Sequence, residues 1–323
     1  MRLPFAALLF SAASATSLFA QPAVPHLPPP PISATQSPAE LGIALDGYVK
    51  NLADKGRFSG AVLVAKDGKP VFERAYGFAD RANKVPNTPS TRFNLGSINK
   101  AFTKIAVLQL AAQGKLALTD TIGRLLPDYP NEQSRKATVS QLMDHMAGIS
   151  DFFGPAFDAT PKNQFRSNAD YYAFVSKLPP LFEPGAKRQY CNGCYIVLGA
   201  IVEKVSGVKY EDYVREHVYA PAGMKGAGPL QIDAIEPNVA MGYTTQWNDR
   251  DDGPIHTNVF TRGSSGSAAG GGGDGQHGSA VGDGARRRDH EAAGCAQKLT
   301  PHRQNTEHLM GAQPGDSGTG LRE

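Results

Sequence analysis

The sequence has little excess charge, few cysteines and only a short N-terminal apolar run, and each shortage excludes a class of protein. Its 33 basic and 30 acidic residues give a formal net charge of +3, which is too small to indicate a nucleic-acid partner. Three cysteines in 323 residues do not make a disulfide scaffold. The apolar run is too short to span a bilayer. No metal-ligand spacing is present, so we expect no cofactor.

The composition divides the chain into five segments. Residues 1–20 have a basic start, a short apolar core and then small residues, a pattern typical of a secretory signal, so we expect a secreted or periplasmic protein. Residues 21–38 form a proline-rich linker. Residues 39–262 are long enough to bury a core. Residues 263–297 are rich in glycine and poor in large apolar side chains, and residues 298–323 form the tail.

Local patterns in residues 39–262 predict a mixed α/β domain. A capping-box pattern at residues 37–40 opens a helix. An Asp-Gly pair at 67–68 lies between two apolar runs and predicts an antiparallel hairpin. Another helix begins at Ser97, runs to about Gln113 and is apolar on almost every face. That pattern predicts a helix buried at the centre of the domain.

This apolar helix opens with a Ser-x-x-Lys sequence, Ser97 to Lys100. A serine hydroxyl needs a base within hydrogen-bond reach to act as a nucleophile, and residues three apart share a helix face. A lysine near a buried helix start is desolvated, which lowers its pKa toward that of a base; the alternative is a lysine that extends to solvent. The same motif recurs at Ser206 to Lys209, where Gly207 predicts a helix end that would spoil the geometry.

A Tyr-x-Asn sequence, Tyr190 to Asn192, follows a Pro-Gly turn and precedes an apolar helix containing Leu-Gly. The chain resembles the serine β-lactamase-related family, which includes class C β-lactamases, D-alanyl-D-alanine peptidases and related esterases. Residues 93–100, 142–149, 184–207 and 239–243 carry the resemblance. It implies an α/β (α+β) β-lactamase/transpeptidase-like fold, with an antiparallel sheet flanked by helices and a mostly helical subdomain. Ser97 would lie in the cleft between the two parts.

The resemblance assigns a role to each motif residue. Ser97 would attack the substrate carbonyl and become acylated, while Lys100 and Tyr190 would share the proton transfers. Asn192 would hydrogen-bond the substrate, and the backbone N–H of Ser97 would supply half of an oxyanion hole. These roles imply a serine hydrolase, expected as a monomer, that acts on a small-molecule ester, a β-lactam or a D-amino-acid peptide. The alternative is a non-catalytic penicillin- or peptidoglycan-binding protein, or an inactive remnant of such an enzyme.

Three further features near the motifs have other interpretations. A second Tyr-x-Asn at 129–131 lacks the context of the first. Cys191 and Cys194 make a Cys-x-x-Cys, which allows a redox site; no thioredoxin-like βαβ pattern surrounds it, and a local disulfide is the other interpretation. His145 lies between a helix end and a glycine turn, where we expect a structural role rather than a catalytic one.

The third element of the family's site, a Lys-Thr-Gly or His-x-Gly on a strand, has no good counterpart. The nominal match at 277–279 falls in the glycine-rich segment, whose composition does not favour a strand. We hypothesise that residues 273–297 arose from a compensated frameshift and that the chain stops before the family's last strands. This would leave an unpaired sheet edge, low stability and weak or no activity. An uninterrupted reading frame at the locus would contradict the hypothesis.

Overall fold

The computed structural model describes residues 30, 32–33, 35–228, 237–247 and 250–257, with only the backbone described for 244–247 and 250–256. The helices are α1 (Pro38–Asp54), α2 (Asn99–Ala112), α3 (Ile122–Leu125), α4 (Val139–Met143), α5 (Pro155–Ala159), α6 (Asn168–Val175), α7 (Asn192–Ser206) and α8 (Tyr210–Val214). The strands are β1 (Gly60–Lys66), β2 (Lys69–Tyr76), β3 (Phe78–Asp80), β4 (Val85–Pro86), β5 (Tyr243–Trp247) and β6 (Arg250–Thr257). Short 3₁₀ turns lie at Gly96–Ile98, Ser134–Lys136 and Lys162–Gln164, and a π-helical turn at Arg215–Tyr219.

The described strands form three antiparallel pairs, β1 with β2, β3 with β4, and β5 with β6. Asp67 and Gly68 both have positive φ, as the two-residue hairpin turn between β1 and β2 requires. The predicted capping box is present, because Ser37 and Glu40 cap each other's backbone N–H groups at the start of α1. Helix α1 packs on β2. The mixed α/β class and the hairpin are confirmed.

The central helix is α7, which differs from the prediction that the helix after Ser97 would be buried on every face. Every residue from Gly193 to Val202 is buried, and α7 packs against α2, α4, α6 and α8. Helix α2 is instead buried along one stripe, formed by Lys100, Thr103, Ala106, Val107 and Leu110. The rest of the helix is only partly buried or exposed, including apolar residues such as Ala101 and Leu108, so the number of apolar residues overestimated its burial.

Gly148, in the loop after α4, shows how closely the chain packs near the motifs. Its φ is +70°, and a Cβ there would lie 2.0 Å from the carbonyl oxygen of Phe182. We expect Gly148→Ala to lower the free energy of unfolding by more than about 3 kcal/mol. The methyl group would strain a left-handed backbone and would push away the backbone of Phe182. Chemical denaturation measures this change.

Gly114 provides the matched control for that substitution. Its φ is also +70°, but a Cβ there would meet nothing within 4 Å. Gly114→Ala should therefore cost only the backbone strain, about 1–2 kcal/mol. Equal losses at the two glycines would contradict the packing argument.

Several predicted segments lie outside the described residues. These are the signal segment, most of the linker, the glycine-rich segment, the tail and the nominal third motif at 277–279. Among the residues that are described, no helix combines the length and the apolar character needed to cross a bilayer.

Candidate active site

Ser97 lies on a 3₁₀ turn just before α2, not in the first turn of an α-helix as predicted. The turn spans Gly96–Ile98, and α2 begins at Asn99. Gly96 has a φ of +50°, and its N–H donates to the Asn94 side-chain oxygen at 2.6 Å. The turn leaves Ser97 exposed while Lys100, three residues on, points into the protein with 6% of its surface exposed.

The structure brings together all four predicted site residues. The Lys100 Nζ donates to the Ser97 Oγ at 3.0 Å and to the Asn192 Oδ1 at 2.7 Å. The Tyr190 hydroxyl donates to the same Ser97 Oγ at 2.5 Å. A serine hydroxyl within hydrogen-bond reach of both an amine and a phenol has the geometry of an activated nucleophile.

Lys100 is buried beside aromatic rings rather than extended to solvent. Its Nζ lies 5.0 Å from the ring centre of Tyr190 and 5.5 Å from that of Tyr195. Burial lowers the pKa of Lys100, and this effect is partly offset by contact with Tyr190 and by the negative charge of Asp151. The lowered pKa raises the fraction of Lys100 present as the neutral amine that can accept a proton.

Tyr190 is held at its backbone and at its ring although its side chain is half exposed. The N–H of the preceding residue, Gln189, donates to the carbonyl oxygen of His145 at 2.9 Å. The rings of His145 and Tyr190 stack with centres 4.7 Å apart. Both contacts place Tyr190 against the buried loop that follows α4.

His145 makes these contacts as a neutral ring. Its Nδ1 accepts from the backbone N–H of Cys191 at 3.1 Å. Burial lowers the pKa of His145, and the cations of Arg188 and Lys100 lower it further, which favours the uncharged ring with an acceptor nitrogen. The contacts agree with the structural role expected from the sequence.

Asn192 is the first residue of α7 and connects Lys100 to a residue that the sequence analysis missed. Its Nδ2 donates to the Oδ2 of Asp151 at 2.8 Å, and its backbone N–H approaches the same oxygen at 3.4 Å. Asp151 belongs to no recognised motif. One aspartate in a loop gives no signal of a distant partner.

The second Tyr-x-Asn, the second Ser-x-x-Lys and the Cys-x-x-Cys do not form a site with a serine held between an amine and a phenol. Tyr129 is 2% exposed and packs in the core. Ser206 is the last residue of α7, and Gly207, with a φ of +79°, separates it from Lys209 at the start of α8. Cys191 and Cys194 are joined in a disulfide. Among the described residues, no group of three or more His, Cys, Asp or Glu side chains is placed to hold a metal ion.

The α/β fold with Ser97, Lys100 and Tyr190 in contact defines the class of β-lactamase/transpeptidase-like proteins. The Beta-lactamase family profile matches residues 45–297. The chain belongs to this family.

Individual relatives agree with that assignment. The chain is 30% identical over 208 residues to penicillin-binding protein 4* of Bacillus subtilis, covering 62% of this chain and 45% of the relative. The crystal structure of a penicillin-binding protein from Bacillus halodurans aligns with a TM-score of 0.59 and 30% identity, over 71% of this chain and 68% of that one. EstCE1, a hydrolase with promiscuous acyltransferase activity, aligns with a TM-score of 0.60 and 26% identity, over 75% and 71%. The chain spans about half the length of the curated relatives it matches.

Proposed function

We propose that the protein is a serine hydrolase that forms an acyl-enzyme at Ser97 on an ester, a β-lactam or a D-amino-acid peptide. The observation that carries the proposal is the position of the Ser97 Oγ, which lies 3.0 Å from the Lys100 Nζ and 2.5 Å from the Tyr190 hydroxyl. Such contacts let the serine proton leave as the carbonyl is attacked.

The acylation step begins with Lys100 as a neutral amine. In that state the contact with Ser97 runs in the opposite direction, from the serine O–H to the lone pair of the Nζ. The amine donates one N–H to the Asn192 Oδ1 and keeps its lone pair for the proton of Ser97. As the Oγ–carbon bond forms, the proton moves to Lys100 and negative charge collects on the substrate oxygen. The backbone N–H of Ser97 is our candidate for one oxyanion donor.

Collapse of the tetrahedral intermediate needs a proton on the leaving group. Tyr190 gives its phenolic proton to the departing oxygen or nitrogen, and the Lys100 ammonium returns a proton to Tyr190. The carbon–leaving-group bond breaks and the acyl-enzyme remains. Water then attacks the acyl carbon by the reverse sequence of proton transfers, which releases the acid and restores Ser97.

The names of relatives support this chemistry but leave the substrate open. Two similar proteins are named as penicillin-binding proteins and one as a hydrolase with acyltransferase activity. All three names fit a serine that accepts acyl groups. We propose a small-molecule or peptide substrate, a monomer, and a secreted or periplasmic location.

Covalent labelling of the purified protein tests the proposal, because one acylation event per molecule is enough even for a weak catalyst. We expect a fluorophosphonate and a fluorescent penicillin each to add to the chain, with peptide mass spectrometry placing the adduct on Ser97. No adduct, or an adduct at another residue, would overturn the proposal. A stable penicillin adduct without turnover of a chromogenic ester or cephalosporin would favour the non-catalytic binding protein.

A further inference from the structure

Asp151 contacts the proposed site through a single carboxylate whose two oxygens have different partners. The Oδ2 accepts from the Asn192 side-chain amide at 2.8 Å, and the Oδ1 accepts from the backbone N–H of Phe153 at 3.1 Å. A carboxylate can only accept hydrogen bonds. The Asn192 amide must therefore present its NH₂ group to Asp151 and its oxygen to Lys100.

The backbone around Asp151 is held firmly against the start of α7. A Cβ on Gly193 would lie 2.1 Å from the carbonyl oxygen of Ser150, so only glycine allows the two segments to approach this closely. On the other side Phe152 is 2% exposed and packs against the rings of Phe157 and Tyr171. Asp151 is thus carried on a fixed loop next to Asn192.

We infer that Asp151 is a positioning residue, which sets the Asn192 amide so that its oxygen faces Lys100 and the lysine lone pair stays directed at Ser97. The inference rests on the proposed function and adds to it a residue that acts through Asn192. With the amide reversed, an NH₂ group would face Lys100 and would compete with Ser97 for the single lone pair of the neutral amine. Proton transfer from Ser97 would then slow.

Asp151 also adds a charge to the surroundings of Lys100. The groups that face Lys100 are the phenols of Tyr190 and Tyr195, the ring of His145 and the carboxylate of Asp151. The carboxylate raises the pKa of Lys100 against the larger lowering by burial. Removing the negative charge should therefore move the lysine titration to lower pH.

The substitution Asp151→Asn is designed to change the orientation of the Asn192 amide while keeping the loop contact between residue 151 and Phe153. The Phe153 N–H would still bind the side-chain oxygen of residue 151, which turns the new NH₂ group toward Asn192 and favours the reversed amide. We expect the limiting rate of Ser97 acylation at high pH to fall about 10- to 100-fold. The pH at the midpoint of the rise in acylation rate should also decrease. Asp144→Asn removes an exposed carboxylate from the same loop region and is expected to leave the limiting rate unchanged.

A double-mutant cycle tests whether Asp151 acts through Asn192. In an Asn192→Ala background, Asp151→Asn should cause little further loss of rate, because the amide it positions is absent. Thermal unfolding of each variant verifies that it is folded. An unchanged limiting rate in Asp151→Asn, or an undiminished loss in the Asn192→Ala background, would overturn the inference.

A titration of Lys100 by NMR tests the same inference without any reaction. The free protein, with ¹³C-labelled lysine, should show a lower Lys100 midpoint in Asp151→Asn than in wild type, and Asp144→Asn should cause a smaller change. The Asn192 side-chain NH₂ signals should shift when their carboxylate partner is removed. Identical Lys100 titrations and Asn192 signals would overturn the inference. Absence of an adduct on the wild-type protein would instead defeat the proposed function alone.

Discussion

Ser97→Ala is expected to abolish covalent labelling by both a fluorophosphonate and a fluorescent penicillin. The variant removes the one oxygen that both Lys100 and Tyr190 contact. Without that oxygen, the site has no nucleophile whose proton these two residues can take. Quantitative gel fluorescence and intact mass should show no adduct. The exposed position of Ser97 means that the substitution creates no buried cavity, so folding should be unaffected.

The second Ser-x-x-Lys sequence provides a matched control for this prediction. Ser206→Ala removes a hydroxyl that contacts the carbonyl oxygen of Val208 at 3.3 Å, at the far end of α7 from Asn192. This variant should be labelled as fully as wild type. Retained label in Ser97→Ala would exclude Ser97 as the nucleophile, and lost label in Ser206→Ala would show that the loss is not specific to Ser97.

Sequence patterns predicted features that depend on neighbours along the chain. The capping box at the start of α1 and the Asp-Gly hairpin between β1 and β2 involve residues no more than three positions apart. Ser97 and Lys100 are similarly close in sequence. The structure confirms the capping box and the hairpin, whose formation depends mainly on local backbone geometry. It places Ser97 on a 3₁₀ turn instead of the predicted first turn of an α-helix.

The burial of α2 was predicted less well because it depends on what packs around it. Its apolar residues suggested a fully buried helix, yet α7 takes the central position through continuous burial from Gly193 to Val202. Both helices are strongly apolar in sequence. Chain topology decides how many elements pack against α2 and α7, and that topology cannot be read from the apolar pattern of either helix.

The part of the candidate site that sequence reasoning missed is the support around Asn192. Asp151 reaches Asn192 only because the backbone of Ser150 lies against Gly193. Nothing in the spacing of these residues marks the contact. Tyr190 and Asn192 could be assigned only through the resemblance to a family, since their distance from Ser97 in space depends on the whole fold.

Lys100→Met is expected to slow acylation of Ser97 by about 10²- to 10⁴-fold. Methionine fills a similar apolar volume but has no lone pair able to take the serine proton. Burial lowers the pKa of Lys100, so the wild-type rate should rise with pH as the amine loses its proton and then level off. The variant should lack this rise. Stopped-flow labelling at a series of pH values measures both the loss and the profile.

Lys104→Met, one helical turn further along α2, removes the same charge without touching Ser97 and should keep the wild-type profile. Burying an amine costs free energy, but methionine also removes the donor to the Asn192 Oδ1. Because these effects oppose each other, Lys100→Met should unfold close to the wild-type temperature. If Lys100→Met loses acylation but keeps its stability, the buried Lys100 serves the reaction and not the stability of the fold. An unchanged rise with pH in Lys100→Met would instead assign the base to another group.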